Sequence, residues 1–242
     1  MRVFIYRRAP SAGAVALATA LRGMGIESFK RRTVPRRQRG DDVMVAWGDN
    51  PIGIRGWSGR TLNAADPISK LSEVIALRAH GVPTVDAVVE RGLTDGLWLP
   101  RSNYHRGGYD LLNPPVRQDF WVRKEEIVKE YRVHVFEGQS IRAGFKVPRI
   151  ESPHPWIRSY QAGWKLDYGV ARENGFRDKH RSVAKDAIQA LGLQFGAVDV
   201  AERDDGSVFV LEVNRAPGLE GATVTAYAER IKQWAVNGGP IE

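Results

Sequence analysis

The sequence predicts an α+β fold, and three observations predict it. The first fifty residues alternate strand, helix and strand patterns; from Val85 onward short strand-like runs follow one another with turn signals between them; and Asp205-Gly206 closes a hairpin between two apolar runs near the C-terminal end. With 242 residues and 43% hydrophobic content, the chain can bury a core divided over two or three subdomains.

The N-terminal unit begins with a strand at Arg2 to Tyr6. Pro10 and Ser11 open a small-residue helix, with Val15, Ala18, Leu21 and Met24 read as its buried stripe, and Gly23 and Gly25 end it. Ile26 to Phe29 and Asp42 to Trp47 read as the next two strands, before the turn Gly48-Asp49-Asn50-Pro51, which completes a βαβ-type unit. Ser69 to His80 is an amphipathic helix carrying Leu71, Val74, Ile75, Leu77 and Arg78, closed by Gly81.

Beyond it, Asp86 to Glu90 and Leu97 to Arg101 flank a Gly-containing turn. The polar loop SNYHRGGYDLL, with Gly107 and Gly108, leads toward the strand at Asp119 to Lys124. A Gly-rich loop between strands is either an ordinary turn or a cradle for phosphates. It is not a Walker loop and not a dinucleotide fingerprint, because the required spacing and following helix are absent. Glu130 to Phe136 and Ile141 to Val147 form a hairpin whose one face carries Glu130, Arg132, His134, Arg142 and Lys146; taken alone, a hairpin turns such a face to solvent, and otherwise it lines a cleft. Ser152 to Tyr168 reads as an irregular, aromatic loop or lid. His180 to Leu191 is an amphipathic helix, and Thr223 to Val236 is the last one.

The hairpin Leu193 to Ala201 and Val208 to Asn214 holds the most specific signal. A two-residue loop at Asp205-Gly206 pairs Asp204 with Ser207, which sets Asp199 directly opposite Glu212, with Asn214 on the same face. Val198, Val200, Phe209, Leu211 and Val213 fall on the other, apolar face. Facing carboxylates repel, so one is protonated, a carboxylate dyad does acid–base work, or a cation lies between them. Two carboxylates and an amide, with no thiolate or imidazole, suit a hard cation such as Mg²⁺, which also binds phosphates.

Composition narrows the partners. There is no cysteine, so a disulfide framework, a thiolate metal site and a cysteine nucleophile are all excluded. The apolar stretch at Met1 to Pro10 is too short for a signal peptide and no window approaches a membrane span, which implies a cytoplasmic protein without membrane partners. A net charge of +8 makes nucleotides, polyanions and acidic substrates plausible partners. The densest basic run, Lys30 to Arg39, contains no aromatic residue and is preceded only by Phe29, which disfavours nucleic-acid binding by base stacking.

The stretches GAVDVAERDDGSVFVLEVNRAPGLEG, EYRVHVFEGQSIRAGFKV and HRGGYDLL together resemble the ATP-grasp superfamily, in particular small ligases related to the ribosomal-protein glutamate ligases. The resemblance implies a pre-ATP-grasp domain over residues 1–61, a small ATP-binding subdomain over 62–115 and a C-terminal lobe with the metal site over 116–242. It implies ATP held with two Mg²⁺ ions, which Mn²⁺ can replace. A substrate carboxylate is converted to an acyl phosphate and then captured by an amine.

Carried over by position, Asp199, Glu212 and Asn214 are the metal ligands. Lys70, Arg101, Gly107 and Gly108 contact the nucleotide phosphates, Phe120, Trp121 and Val122 form the adenine hinge, and Glu130 and Arg132 begin the strand behind the phosphates. Arg142, Lys146 and Arg158 stabilise the transferred phosphoryl group. Arg101 stands where the family usually has lysine, so charge is kept while geometry changes. The acceptor, small or polymeric, and the oligomeric state stay open. So do two rivals: an idle relative binding nucleic acid or an acidic protein, and a phosphotransferase acting on another acceptor.

Overall fold

The computed structural model describes residues 1–49, 56–89, 97–103, 118–155 and 157–239. The expected phosphate loop with Gly107 and Gly108, and the turn before Leu97, lie outside the described residues.

Strands β1 (Arg2–Tyr6), β2 (Glu27–Arg31), β3 (Val43–Ala46) and β4 (Arg60–Leu62) form a parallel sheet in the order β2-β1-β3-β4. Helix α1 (Ala12–Gly23) makes the β1-to-β2 crossover, with Ser11 capping its first turn through a hydrogen bond from the Ala14 amide at 3.2 Å. The helix lies where the sequence places it, with Ala18 and Leu21 buried as expected, but Ala14 and Leu17 complete the buried stripe and Val15 is 52% exposed. In a helix this rich in Ala and Gly, weak side-chain contrast blurs the period. Strand β4 was not expected, since Arg-Thr-Leu is too short to show alternation.

After helix α2 (Lys70–Ala79), strands β5 (Ala87–Val88), β6 (Trp98–Arg101) and β7 (Phe120–Arg123) make a small antiparallel sheet, order β5-β7-β6. Strands β8 (Lys129–Phe136), β9 (Gln139–Pro148), β10 (Trp164–Asp167), β11 (Phe195–Glu202) and β12 (Val208–Asn214) make the large antiparallel sheet, order β10-β9-β8-β11-β12. Strand β10 corrects the reading of Ser152 to Tyr168 as wholly irregular: its Trp164 to Asp167 pair with Pro148 to Phe145. Helix α3 (Asp178–Ala190) seals one face of this sheet with Val183, Ala184, Ala187 and Ile188. Helix α4 (Ala222–Asn237) packs beside α1 and against the opposite face of the large sheet, where Tyr227 meets Phe136 and Phe195.

The β11–β12 hairpin meets its expected site pairing by a different route. The Arg203 amide donates to Ser207 O at 2.9 Å, and Gly206 adopts φ 78°, so the loop has three residues, Asp204-Asp205-Gly206, and not two. That shifts the register near the turn by one, to Glu202 opposite Val208 and Val200 opposite Val210. A β-bulge at Leu211 then restores Asp199 opposite Glu212 and Ala197 opposite Asn214. The apolar face changes accordingly. Val198, Val200, Val210 and Val213 pack toward α3, whereas Phe209 and Leu211, expected on that face, join a core with Phe120, Val122 and Val74.

The parallel-sheet unit shares a core with the large sheet, where Trp47 stacks on Phe195, and Asn63 adds hydrogen bonds between the two. Asn63, buried and with φ 65°, accepts from the Gln194 amide at 2.9 Å and the Phe195 amide at 3.3 Å, and its own amide donates to Gln194 Oε1 at 2.6 Å. Asn tolerates the left-handed region better than a residue with an apolar β-carbon. Asn63→Ala leaves two buried amides without acceptors and strains the backbone, so we expect a loss of about 2–4 kcal/mol in urea unfolding. Asn63→Gly, which removes only the hydrogen bonds, should lose less.

Candidate active site

The large sheet and the small sheet face each other across a cleft of about 700 Å³. Its floor is the face of β8 and β11 that a lone hairpin would turn to solvent. Here it is covered: Glu130 is 6% exposed and His134 is completely buried. Antiparallel pairing places Arg132 next to Asp199, and the Arg132 guanidinium grips both Asp199 oxygens at 2.7 Å each. Across the hairpin, Glu212 takes Lys70 Nζ at 3.3 Å and the Asn214 side-chain amide at 3.0 Å. Helix α2 supplies Lys70 in its first turn, directly after the Ser69 cap.

The electrostatics divide these groups. Burial pushes Glu212 up, but Lys70, then Arg132, and the Asn214 hydrogen bond hold it down at about 2. Burial pushes Glu73 up to about 7, because Lys70 lies farther off at 3.8 Å and its one hydrogen bond comes from the Val213 amide at 2.9 Å. Burial likewise raises Glu130 to about 6, opposed by Lys146 at 3.5 Å. Lys146 also donates to Arg158 O at 2.5 Å, and Arg158 lies over the Trp164 ring while donating to Ile127 O at 2.7 Å.

Of the residues expected at the site, Lys70, Arg101, Phe120, Val122, Glu130, Arg132, Lys146, Arg158, Asp199 and Glu212 all line the cleft. Asn214 stands behind Glu212, through the hydrogen bond just given. Two expectations need correction. Arg142 does not line the cleft; its guanidinium lies 4.7 Å above the ring of Tyr168, which does. Trp121 is outside the cleft too, because alternation along β7 points Phe120 and Val122 inward and Trp121 away. The backbone of Trp121 and Val122 is paired with β5 on one side and β6 on the other, so it is not free to meet a nucleotide base. The chain that crosses the back of the cleft is the next segment, with Lys124, Glu125 and Ile127 in its wall.

Glu73 and Tyr168 line the cleft and were not expected there. Glu73 carried a legible signal, three residues from Lys70 on one helix face. Tyr168 carried none, since its place depends on β10, which was not expected.

No family model matches the chain. Short segments resemble curated proteins: a probable alpha-L-glutamate ligase of Enterobacter sp. (strain 638) is 42% identical over 57 residues, 24% of this chain and 19% of that protein. One of the same name from Trichodesmium erythraeum (strain IMS101) is 42% identical over 53 residues, 22% of this chain and 17% of that protein. The matches thus span about a fifth of those relatives' lengths. Solved structures match nearly end to end. The ATP-grasp ligase PsnB complexed with minimal precursor superposes with a TM-score of 0.65 at 13% identity, covering 96% of this chain and 99% of that one. For D-alanine–D-alanine ligase from Bacillus anthracis the TM-score is 0.64 at 13% identity, with 98% of each chain covered. This chain has the ATP-grasp fold.

Within an ATP-grasp cleft, the oxygen set at Asp199, Glu212 and Asn214 can be tested for a hard divalent cation. All its donors are oxygens, Glu212 is held ionised, and each carboxylate oxygen keeps a lone pair beyond the hydrogen bond it accepts here. The set fits Mg²⁺. Among the described residues there is no cluster of three or more His, Cys, Asp or Glu, so the amide of Asn214 is needed to complete it.

Glu73 offers a separate check on the cleft. Its carboxyl titrates near 7 when folded and near 4.5 when unfolded. The folded state therefore holds the extra proton between those values, and the ionised form is a cost above pH 7. Glu73→Gln keeps an acceptor for the Val213 amide. We expect it to raise stability at pH 8 by up to about 3 kcal/mol and to leave it unchanged at pH 4, read by thermal unfolding at the two pH values.

Proposed function

We propose that this chain is an ATP-dependent ligase that activates a carboxylate and joins it to an amine, releasing ADP and phosphate. One observation carries the reading: within an ATP-grasp cleft, the oxygen set of Asp199 and Glu212 meets Lys70, Arg132, Lys146 and Arg158. Support of a general kind comes from what the similar proteins are called, namely ATP-grasp ligase, D-alanine–D-alanine ligase and alpha-L-glutamate ligase. In this reading residues 1–61 are the pre-ATP-grasp domain, 62–115 the small nucleotide-binding subdomain and 116–242 the catalytic lobe.

The apolar wall of Val85, Leu99, Phe120 and Val122 holds the adenine, and the backbone from Lys124 to Ile127 serves as the hinge expected at Phe120 to Val122. Arg101 and Lys146 contact the phosphates. Asp199, Glu212 and Asn214 hold magnesium, which when bound neutralises phosphate charge and orients the transferring group. A substrate carboxylate oxygen attacks the terminal phosphorus, the bond to ADP breaks, and the acyl phosphate forms. The amine nitrogen then attacks the acyl carbon and phosphate leaves, taking the amine's proton. Arg158 and Lys146, held partly out of water and tied to one another, meet the developing negative charge without reorganising.

The test is ADP release in the presence of ATP, Mg²⁺ and a panel of carboxylates with amines. We expect release that depends on both substrates. Glu212→Ala and Asp199→Asn should each lower kcat by at least about 100-fold; full activity in Glu212→Ala would sink the metal assignment.

A second reading, an idle relative acting through its basic surface, is favoured by one observation. Arg31, Arg32, Arg36 and Arg37 are exposed, and among the described residues no carboxylate lies within ion-pair distance of them. Tight RNA or DNA binding that falls steeply with salt, together with no nucleotide affinity, would decide for it. If the ligase reading holds, neutralising Arg31, Arg32, Arg36 and Arg37 should leave the KM for ATP unchanged and raise that for an acidic acceptor alone.

A further inference from the structure

His134 is completely buried in the middle of β8, and the proposed reaction gives it no part. Its two ring nitrogens touch two phenols: Nδ1 lies 3.2 Å from the Tyr227 hydroxyl and Nε2 lies 2.9 Å from the Tyr168 hydroxyl. The protons along this chain can be assigned from valence. Tyr227 Oη is 3.0 Å from Gly196 O. A carbonyl has no proton to give, so the Tyr227 proton lies in that contact. Tyr227 must then accept from His134, which puts the imidazole proton on Nδ1. The neutral ring leaves Nε2 bare, and it accepts the Tyr168 proton. Burial, with Arg132 and Arg142 nearby, keeps His134 neutral, in agreement with this assignment.

The consequence is directional. The hydroxyl proton of Tyr168 points inward to His134, and the other polar group at that oxygen is the Thr223 hydroxyl, a donor. What remains on the oxygen is lone-pair density, on a residue that lines the cleft. The ring is held against β9. The Arg142 guanidinium lies 4.7 Å from its centre, and β9 also carries Gly144, where a β-carbon would come within 3.0 Å of the ring. The buried Thr223 hydroxyl, which has no other partner, stands beside the phenol oxygen as a donor, and it too favours that oxygen as an acceptor.

We propose that Tyr168 positions the amine substrate, by accepting one of its N–H groups on an oxygen whose own proton is held inward by the Gly196–Tyr227–His134 chain. This rests on the ligase reading above. An acceptor-only oxygen repels carboxylates and phosphates, which have no proton to offer, and is complementary to the nucleophile, whose reacting nitrogen carries N–H groups. With one N–H held, the nitrogen lone pair is left to face the acyl carbon. Tyr168 takes no proton in the step.

Three measurements test it. Long-range ¹H–¹⁵N spectra of the histidine rings in the free protein should show His134 protonated on Nδ1 and bare on Nε2 between pH 5 and 8; protonation on Nε2 would turn the Tyr168 proton toward the cleft and overturn the proposal. Titration with hydroxylamine as the amine probe should shift the ¹³Cζ signal of Tyr168 saturably, and no shift would also overturn it. Both readouts are independent of turnover, so they stand even if no carboxylate supports ADP release and the ligase reading falls. In the active enzyme, Tyr168→Phe should raise the KM for hydroxylamine about 10- to 30-fold, the loss of one buried hydrogen bond, with the KM for ATP unchanged, while the melting temperature falls because His134 Nε2 loses its donor. An unchanged hydroxylamine KM would refute it.

Discussion

The cleft depends on one extra residue in β12. Had the β11–β12 hairpin run without a break from its three-residue turn, every residue of β12 beyond Val210 would stand one place out of register with β11. A one-residue slip in a strand exchanges its two faces, and Glu212 would point toward α3, into a core of Val183, Ala187 and Ile188. The bulge at Leu211 absorbs the offset. Because two residues there oppose one, Leu211 and Glu212 both serve the cleft, one lining its apolar part and the other its charged part. The turn and the bulge are a compensating pair, and neither makes structural sense without the other.

The same strand joins the lobes. Its outer edge would expose unpaired backbone groups, but the segment after α2 covers it. The Val210 amide donates to Pro83 O at 2.8 Å, Thr84 Oγ1 donates to Val210 O at 2.8 Å, and Glu73 receives the Val213 amide. Beyond these ties the small sheet meets the large one through a modest core of Val74, Val85, Phe120, Val122, Ala201 and Phe209. Sequence, local irregularity and lobe packing thus converge on seven residues, Val208 to Asn214.

How much of this was legible follows from the range of the forces involved. The strand pairing that matters most, Asp199 with Glu212, was readable because a turn signal sets register locally and the apolar alternation is strong. Its route was not readable, since a type of turn and a bulge differ by one residue and leave the same ends paired. Phe209 and Leu211 were therefore assigned to the wrong face. Lys146 could be placed on its face by alternation along β9, whereas Lys70 was named only through the family resemblance. The contact of Tyr168 with Arg142 could not be read: they meet only because β10 folds back on β9 and Gly144 leaves room for a ring, a steric fact that appears in three dimensions alone. That the backbone of Phe120 to Val122 is already taken up in pairing was hidden for a similar reason, since only the sheet shows that β7 is flanked on both sides.

One lysine separates the fates of two carboxylates. Lys70 Nζ lies 3.3 Å from Glu212 and 3.8 Å from Glu73, and both acids are deeply set. Burial drives both toward the protonated form. Glu212 escapes because Arg132 adds a second positive field and Asn214 a hydrogen bond, and it falls to about 2. Glu73 has Glu212 itself as a like-charged neighbour, which adds to burial, and it rises to about 7. The half-ångström difference in reach is therefore amplified by second neighbours into a permanent anion and an acid that titrates near neutrality. On the proposed reading, a cleft that takes a cation and phosphates needs the first. The second spares the lobe junction a further fixed negative charge beside Glu212, while its oxygen still receives the Val213 amide and keeps α2 against β12.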